Sequence, residues 1–433
     1  MSLIHKDSCE CSSAELDLQS VPPTQTSVES GYYEECGPVA SLTDQGPIEF
    51  NIVGSENEYL DLYNTHLYLA CRIVNADGTD LAADAEVGPT NLFLHSLFSQ
   101  VNVTLGGALV SESNNNYAYR AFMETLLSYG PAAKDSQLTA ALWYKDTPGK
   151  METIDDTNVG MKHRKSLAAR SRVVEMTGKL HLDLFFQERY IINKVNLKLK
   201  LVRSKDGFSL MSDGTEFKVN VVEAALFVRK VRVSHAIKNA HAKLLERGTL
   251  KYPIRRVATK AFTVPAGHMS VNQDNLITGQ LPKRIVIGCV ENDSFNASYQ
   301  KNPYNFQHFN IDYLALHVGG RQIPAKPLKP DFARQRYIRS YFSLFSGIGK
   351  SYSDEGNQIS RQDYGQGYTL FAFDLTPDLQ EDSHFEVIKD GTVKLEMHFA
   401  QGLASTITVL VYAEFDNLIE VDRARNISFD YSA

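Results

Sequence analysis

The sequence predicts an all-β chain of two tandem β-sandwiches with a few short helices, and three observations carry that expectation. Two stretches 213 residues apart, Val101-Asn102-Val103-Thr104-Leu105-Gly106-Gly107 and Leu314-Ala315-Leu316-His317-Val318-Gly319-Gly320, alternate apolar positions and then present a glycine pair. That is the pattern of a half-buried strand entering a tight hairpin, where adjacent glycines supply the positive φ. After each turn comes a helical stripe with i, i+4, i+7, i+8 spacing, Tyr119, Met123, Leu126, Leu127 in one case and Tyr337, Tyr341, Leu344, Phe345 in the other. Elsewhere short alternating runs and turn residues dominate, with only about two convincing helices per half, whereas a parallel α/β sheet needs a helix between most successive strands.

In chain order, residues 1–45 are rich in Ser, Thr, Pro, Gln and acidic residues and read as a mobile acidic arm. The first sandwich, residues 46–233, opens with the alternating strand Ile48-Glu49-Phe50-Asn51-Ile52. It continues through Tyr68-Leu69-Ala70-Cys71, the glycine hairpin and the first helical stripe, which Gly130 is expected to stop as a left-handed cap. Asp146–Arg172 contains Pro148-Gly149 and Gly160 without a sustained apolar stripe, so it reads as a long loop. The apolar strand end Asp183-Leu184 precedes the alternating Val195, Leu197, Leu199, Leu201, and Val219–Phe227 closes the unit.

Residues 234–256 read as a connector with a short helix through Ile237, His241, Leu244 and Leu245, ending at Gly248. The second sandwich and a C-terminal tail occupy 257–433 and repeat the series. Val286-Ile287-Gly288-Cys289, the hairpin, the stripe with its stop at Gly347, Asp374-Leu375, and Val393, Leu395, Met397, Phe399 follow in the same order. Offsets between matched features run from 191 (Asp183 to Asp374) to 218 (Tyr119 to Tyr337), as expected when strands are kept and loops change length.

A chain of 433 residues with 43% hydrophobic content can bury two cores. No apolar run approaches the ~20 residues that span a bilayer, and the N-terminus is polar and acidic, so a soluble, non-secreted protein with no membrane span is expected. The net charge of −7 sits in residues 1–46, which hold eight acidic side chains against Lys6 alone, leaving 43 acidic and 43 basic residues in the body. A protein that grips nucleic acid through phosphates shows a basic excess, so no specific nucleic acid is expected as partner.

The motifs of chemistry are missing. Gly347-Ile348-Gly349-Lys350-Ser351 ends like a phosphate loop, yet Leu344 stands where the first glycine belongs and a helix precedes it. His5, Cys9, Cys11 and Cys36 fit no standard zinc spacing, and Cys71 and Cys289 complete a set of five without a disulfide framework. His95, His163, His181, His308, His317 and His398 are scattered, and the acidic pairs Asp155-Asp156 and Asp382 with Glu386 suit turns. The glycosylation patterns at Asn102, Asn296 and Asn426 read as incidental. No catalytic, cofactor or metal site is expected. The strongest local charge is Lys162, His163, Arg164, Lys165, Arg170 and Arg172, beside Trp143-Tyr144. Because aromatics and Arg favour interface cores, Trp143, Tyr144, Lys162, Arg164, Lys165, Arg170 and Arg172 are the candidate intersubunit contacts. A core position for Trp143, and a solvated loop or a nucleic-acid contact for the basic run, are the competing readings.

The stretches Gly46-Pro-Ile-Glu-Phe-Asn51, Glu58-Tyr-Leu-Asp-Leu62, Asn91-Leu-Phe-Leu-His-Ser-Leu-Phe-Ser-Gln100 and Tyr119-Arg-Ala-Phe-Met-Glu-Thr-Leu-Leu-Ser-Tyr-Gly130 resemble the double jelly-roll major capsid proteins of Polinton/Maverick elements and adintoviruses. The resemblance spans about residues 46–430 and is most specific in the first half. It implies two tandem jelly-roll β-sandwiches upright in a shell and a homotrimer forming a hexon-like, pseudo-hexagonal capsomer that tiles an icosahedral virion. It further implies a penton or minor capsid partner, assembly inside the host cell in cytoplasm or nucleus, and no enzyme activity. The chain departs from larger members in lacking room for long tower insertions, and its acidic arm has no match among them. Two other classes fit a double β-sandwich. A carbohydrate- or ligand-binding protein would need an exposed aromatic platform or a calcium site, for which the Tyr364-Gly-Gln-Gly-Tyr368 loop is the one suggestive stretch, and a cupin-like metalloenzyme would need a clustered pair of histidines and a carboxylate.

Overall fold

Two antiparallel sandwiches follow one another along the chain without sharing a strand. The structure is a computed structural model that describes residues 7–8, 11–43, 45–111, 114–379 and 384–429. The first sandwich uses β1 (Val28–Cys36), β2 (Ile48–Ile52), β3 (Glu58–Asn75), β4 (Phe98–Leu105), β5 (Ala108–Ser111), β6 (Val174–Gly178), β7 (Leu197–Arg203) and β8 (Phe217–Val233). The second uses β9 (Leu250–Val264), β10 (Ser270–Gln280), β11 (Arg284–Glu291), β12 (Ile311–Val318), β13 (Arg321–Leu328), β14 (Leu370–Asp374), β15 (Asp390–Phe399) and β16 (Ile407–Val421). The sheet orders are β1-β8-β3-β6 facing β2-β7-β4-β5, then β9-β16-β11-β14 facing β10-β15-β12-β13. Adding eight to each label of the first pair gives the second. Short strands at Val87–Pro89 and Leu210–Ser212 pair with each other, and Ile427–Phe429 extends β16.

The physical cause is period-two burial. In β7 the pattern puts Leu197, Leu199 and Leu201 inside and Lys198 and Lys200 outside, and in β15 Val393, Leu395, Met397 and Phe399 are inside. The two hairpins are twins. Gly106 and Gly107 have φ of +56° and +94°, and Gly319 and Gly320 have +55° and +82°, a sequence of positive angles that side chains with a Cβ disfavour. The matched cysteines Cys71 and Cys289 are both buried in the central strands β3 and β11, and burial pushes each thiol up to about 12.

Both helical stripes form, as α1 (Tyr117–Ser128) and α4 (Ile338–Gly347). The connector helix forms as α3 (His235–Leu245), with the Ser234 hydroxyl accepting from the Ile237 amide.

Six features differ from the sequence expectation. Residues 28–36, assigned to the arm, are β1, which pairs with β8 from Val28–Val233 to Cys36–Leu226. This edge strand is exposed on both faces, so it carries no apolar alternation for a sequence to display. The arm is therefore reduced to residues 1–27, and described residues 11–27 are exposed with one short 3₁₀ turn at Ala14–Leu16. Within the expected loop Asp146–Arg172 lies α2 (Val159–Ala168), capped by the Asn158 side chain. Gly130 does not cap α1 in the left-handed region; its φ is −78° and it starts the short helix Pro131–Lys134. Gly347 is the last residue of α4 and is small for packing, since a Cβ there would meet the Ala372 backbone at 2.5 Å. Asp183-Leu184 opens a 3₁₀ turn, while Asp374 does end a strand, and the second sandwich starts at Leu250, inside the expected connector.

Candidate functional site

The seam between the sandwiches is where buried charge concentrates. Segment 114–173 of the first sandwich carries α1 and α2 toward the loops of the second. On α1, Phe122 stacks on Tyr304 with ring centroids 4.1 Å apart, and Tyr119 stacks on Phe295 at 5.8 Å. Both partners lie between β11 and β12. Aromatic pairs of this kind add about 0.5–1.5 kcal/mol beyond the area they bury.

Polar bonds frame that apolar patch. Arg164 on α2 is fully buried, donates through Nη2 to Asp146 Oδ1 at 2.6 Å and through Nε to the Pro89 carbonyl at 2.8 Å. Asp146 in turn accepts from Asn302 Nδ2 at 3.1 Å, and its backbone carbonyl accepts from the Tyr368 hydroxyl at 2.7 Å. Lys134 Nζ donates to the carbonyls of Leu126 and Asn357 at 2.7 and 2.8 Å, while Lys145 Nζ reaches Asp363 at 2.6 Å. Burial drives the Lys134 ammonium down to about 7.

A second cluster closes the other side of α1. Arg120 pairs with Glu124 at 2.8 Å and Asp183 at 2.7 Å, His181 Nδ1 lies 2.6 Å from Glu124, and the Tyr412 hydroxyl of β16 donates to Glu124 at 3.3 Å. Burial opposes the Glu124 carboxylate, but Arg120 and His181 beside it hold its pKa down at about 2. Asp183 accepts from the Val257 amide at 3.2 Å, and burial pushes its carboxyl up against the pull of Arg120. His95, edge-on to His181 at 4.8 Å, is held neutral by burial, well below its ordinary value. This cluster borders a 740 Å³ cavity at the seam. These ion pairs lie within the first sandwich; the contacts that cross to the second are Phe122 on Tyr304, Lys134 to Asn357, Lys145 to Asp363, Asp146 to Asn302 and Tyr368, and Glu124 to Tyr412, and together they hold the two side by side.

The seven candidate contact residues separate accordingly. Trp143 is inside its own protomer, tilted against Phe122 at 5.3 Å with the Lys134 ammonium 5.4 Å from its ring, so the core reading holds for it. Arg164 likewise has no exposed surface to offer a partner. Tyr144 is half-buried and stacks on His163 at 5.6 Å. Lys162 is exposed and pairs with Asp156, and half-exposed Lys165 pairs with Glu86. Arg170 and Arg172 stand exposed. Sequence reasoning missed Lys134, Lys145, Asp146 and Arg120, whose only signal is basic or acidic residues among apolar or helical neighbours.

The remaining motifs serve structure. Lys350 of the phosphate-loop-like run donates to the Ser128 carbonyl at 2.5 Å, across the seam. Asp155 accepts from the Thr157 amide in a turn. His5, Cys9 and Asp382 lie outside the described residues; Cys11 is exposed and Cys36 half-buried beside Glu34. Among the described residues one group, Asp378, His384 and Glu386, brings donor atoms within 4.8 Å of one another. No helix among them is long and apolar enough to cross a membrane.

Two sheets ordered β1-β8-β3-β6 and β2-β7-β4-β5, repeated once, define the architecture. The chain is a double jelly roll. Solved structures with the same fold include a chain of the Sputnik virophage (TM-score 0.66, 12% identity, covering 100% of this chain and 95% of that one). The capsid of the virus PBCV-1 matches with a TM-score of 0.56 at 9% identity, over 96% of this chain and 100% of that one. The mavirus major capsid protein matches with 0.53 at 12% identity, over 99% and 97%. In sequence, an uncharacterised protein of Caenorhabditis elegans is 25% identical over 420 residues, 94% of this chain and 98% of that protein. No family model matches.

Proposed function

We propose that this chain is a major capsid protein of the Polinton/Maverick and adintovirus type, a structural protein and not an enzyme. Three copies form a hexon-like, pseudo-hexagonal capsomer, and capsomers tile an icosahedral shell with a penton or minor capsid protein. Its place is the virion, assembled inside the host cell. The observation that carries this reading is the end-to-end likeness to viral capsid structures across both jelly rolls, and the seam that locks the rolls side by side supports it. Two rolls held in one orientation are a third of a six-sided ring, and closed symmetry supplies the rest. The acidic arm, residues 1–27, and the exposed Lys162, Arg170 and Arg172 are suited to weak, polar contacts between capsomers. Light scattering of the expressed protein tests the reading: the mass of three chains is expected, with hexagonal outlines or closed particles by electron microscopy. A stable monomer at micromolar concentration overturns it.

One observation favours a second reading, a double β-sandwich that binds a carbohydrate. The Gly365-Gln366-Gly367 stretch forms one wall of a 780 Å³ cavity that also presents Gln307, Phe309 and Gln401. A monomer by native mass spectrometry that binds neutral oligosaccharides would favour it over the capsid.

A further inference from the structure

The helix α1 and its counterpart α4 meet opposite fates. On α1 the side chains from Tyr117 to Met123 and again from Thr125 to Leu127 are buried, with its own roll on one side, where Tyr117 bonds His95 and His181, and Phe295, Tyr304 and Tyr412 of the second roll on the other. Its Glu124 reaches Tyr412 on the outer face of β9-β16-β11-β14, where Val286 is buried as well. On helix α4 the positions that match Arg120 and Glu124 at the 218-residue offset are Ile338 and Phe342; they are 51% and 48% exposed, and nothing among the described residues covers them.

The receiving surface is duplicated too. The strands β3 and β8 of the first roll correspond to β11 and β16, so the outer face that receives α1 on the second roll has an equivalent on the first. There Phe227 stacks on His66 at 5.2 Å, with Tyr68 and Tyr33 edge-on at 6.2 and 5.4 Å from Phe227 and His66 respectively. Tyr33 is 47% exposed, and Tyr68, His66 and Phe227 are each partly open to solvent. An aromatic face of this kind without a cover is unusual for a protein that stays alone. Charge agrees with contact between the two surfaces: β1 along this face exposes Glu29 and Glu35, while Arg336 and Arg339 stand exposed around the start of α4.

We propose that the exposed face of α4 docks on the Tyr33-His66-Phe227-Tyr68 face of a second copy, repeating between chains the contact that α1 makes within one. The contact is head to tail, so each chain gives α4 to one neighbour and its aromatic face to the other. Three copies close a ring in which six roll-to-roll seams are alike. This rests on the capsid reading and specifies which surfaces build its trimer.

The test uses two variants of the full chain and light scattering. Ile338→Asp/Phe342→Asp removes the helix half of the contact, and Tyr33→Asp/Phe227→Asp removes the sheet half. Each alone is expected to drop the mass from three chains to one, with circular dichroism unchanged. Mixed in equal amounts they are expected to give two chains and no more, because one intact helix still finds one intact sheet and the ring cannot close. A trimer that survives either variant overturns the inference, as does a helix-intact variant that self-associates. A wild-type chain that is already monomeric overturns the capsid reading instead.

Discussion

Phe122 and Phe342 occupy corresponding helices of two jelly rolls, and one is sealed while the other faces water. They are not matched positions, since Phe342 stands where Glu124 does on α1; the Arg120–Glu124 side of α1 meets Tyr412 of the second roll, whereas no described residue covers the Ile338–Phe342 side of α4. The first roll has a neighbour in its own chain; the second has none. Duplication within one polypeptide therefore produces one satisfied interface and one waiting interface, and the energetic weight of residues on matched helices depends on which side of the molecule they occupy.

The comparison breaks most sharply at those two residues. In the Tyr33→Asp/Phe227→Asp background, where copies stay apart, Phe122→Ala is expected to cost about 3–5 kcal/mol in urea unfolding. Phe342→Ala should stay within about 0.5 kcal/mol. The single tryptophan, Trp143, lies against Phe122, so its fluorescence reports the transition. Equal losses would mean that α4 is packed within its own chain after all.

Basic residues give a similar contrast. Arg164→Met leaves Asp146 buried without its guanidinium and is expected to cost about 3 kcal/mol or more, whereas exposed Arg172→Met should cost under about 0.5 kcal/mol. Thermal melts of the two variants decide it.

The seam also predicts a pH signature that the outer surfaces do not. Lys134 is held at about 7 when folded and rises to about 10.4 when unfolded, so between those values the unfolded chain binds the extra proton and stability increases with pH. Lys134→Met should reduce that slope in urea unfolding measured from pH 7 to 10, leaving the share of Lys179, which burial brings down to about 8. On the acid side the folded chain keeps His95 neutral, so stability falls as pH drops below about 6.5, where the unfolded imidazole protonates. Glu124, at about 2 when folded, adds a further loss below about 4.3. A flat profile from pH 8 to 4 would refute a buried titrating seam.

The hairpins give the most symmetric comparison. Gly107→Ala and Gly320→Ala place a Cβ at φ of +94° and +82° with open space around it, so each should cost about 1–2 kcal/mol and the two should agree. Unequal costs would show that the hairpins are not equivalent.

How far the sequence discloses this architecture depends on burial. The glycine hairpins, α1, and strands β7 and β15 are legible because one face meets a core and imposes a period. Edge strand β1, Val-Glu-Ser-Gly-Tyr-Tyr-Glu-Glu-Cys, touches the core only through Val28 and Cys36 at its ends, so its composition imitates an arm; only its match to β9 in the repeat could have exposed it. The basic helix α2 hides for a related reason. Its Arg164 is a core residue by virtue of Asp146, eighteen positions upstream, and a helix whose buried face contains a charge shows a weak stripe. The seam was the least legible part. It joins Lys134 to Asn357 and Asp146 to Tyr368 across more than 200 residues, and no local period marks such a pair.

The tail supplies one more consequence. After β16 the chain returns to the first roll, where Arg425 donates to the carbonyl of Asn193 at 2.9 Å and its own carbonyl lies against Gly106. During synthesis the first roll emerges well before the residues that cover it: Phe122 waits for Tyr304, about 180 positions later, or on the order of ten seconds or more at ribosomal speed. Arg425 comes later still. The first roll is thus made with its seam open and is finished only when the segment around Arg425 arrives, which sets a window in which a chaperone, or the wrong neighbour, can reach the aromatic side of α1.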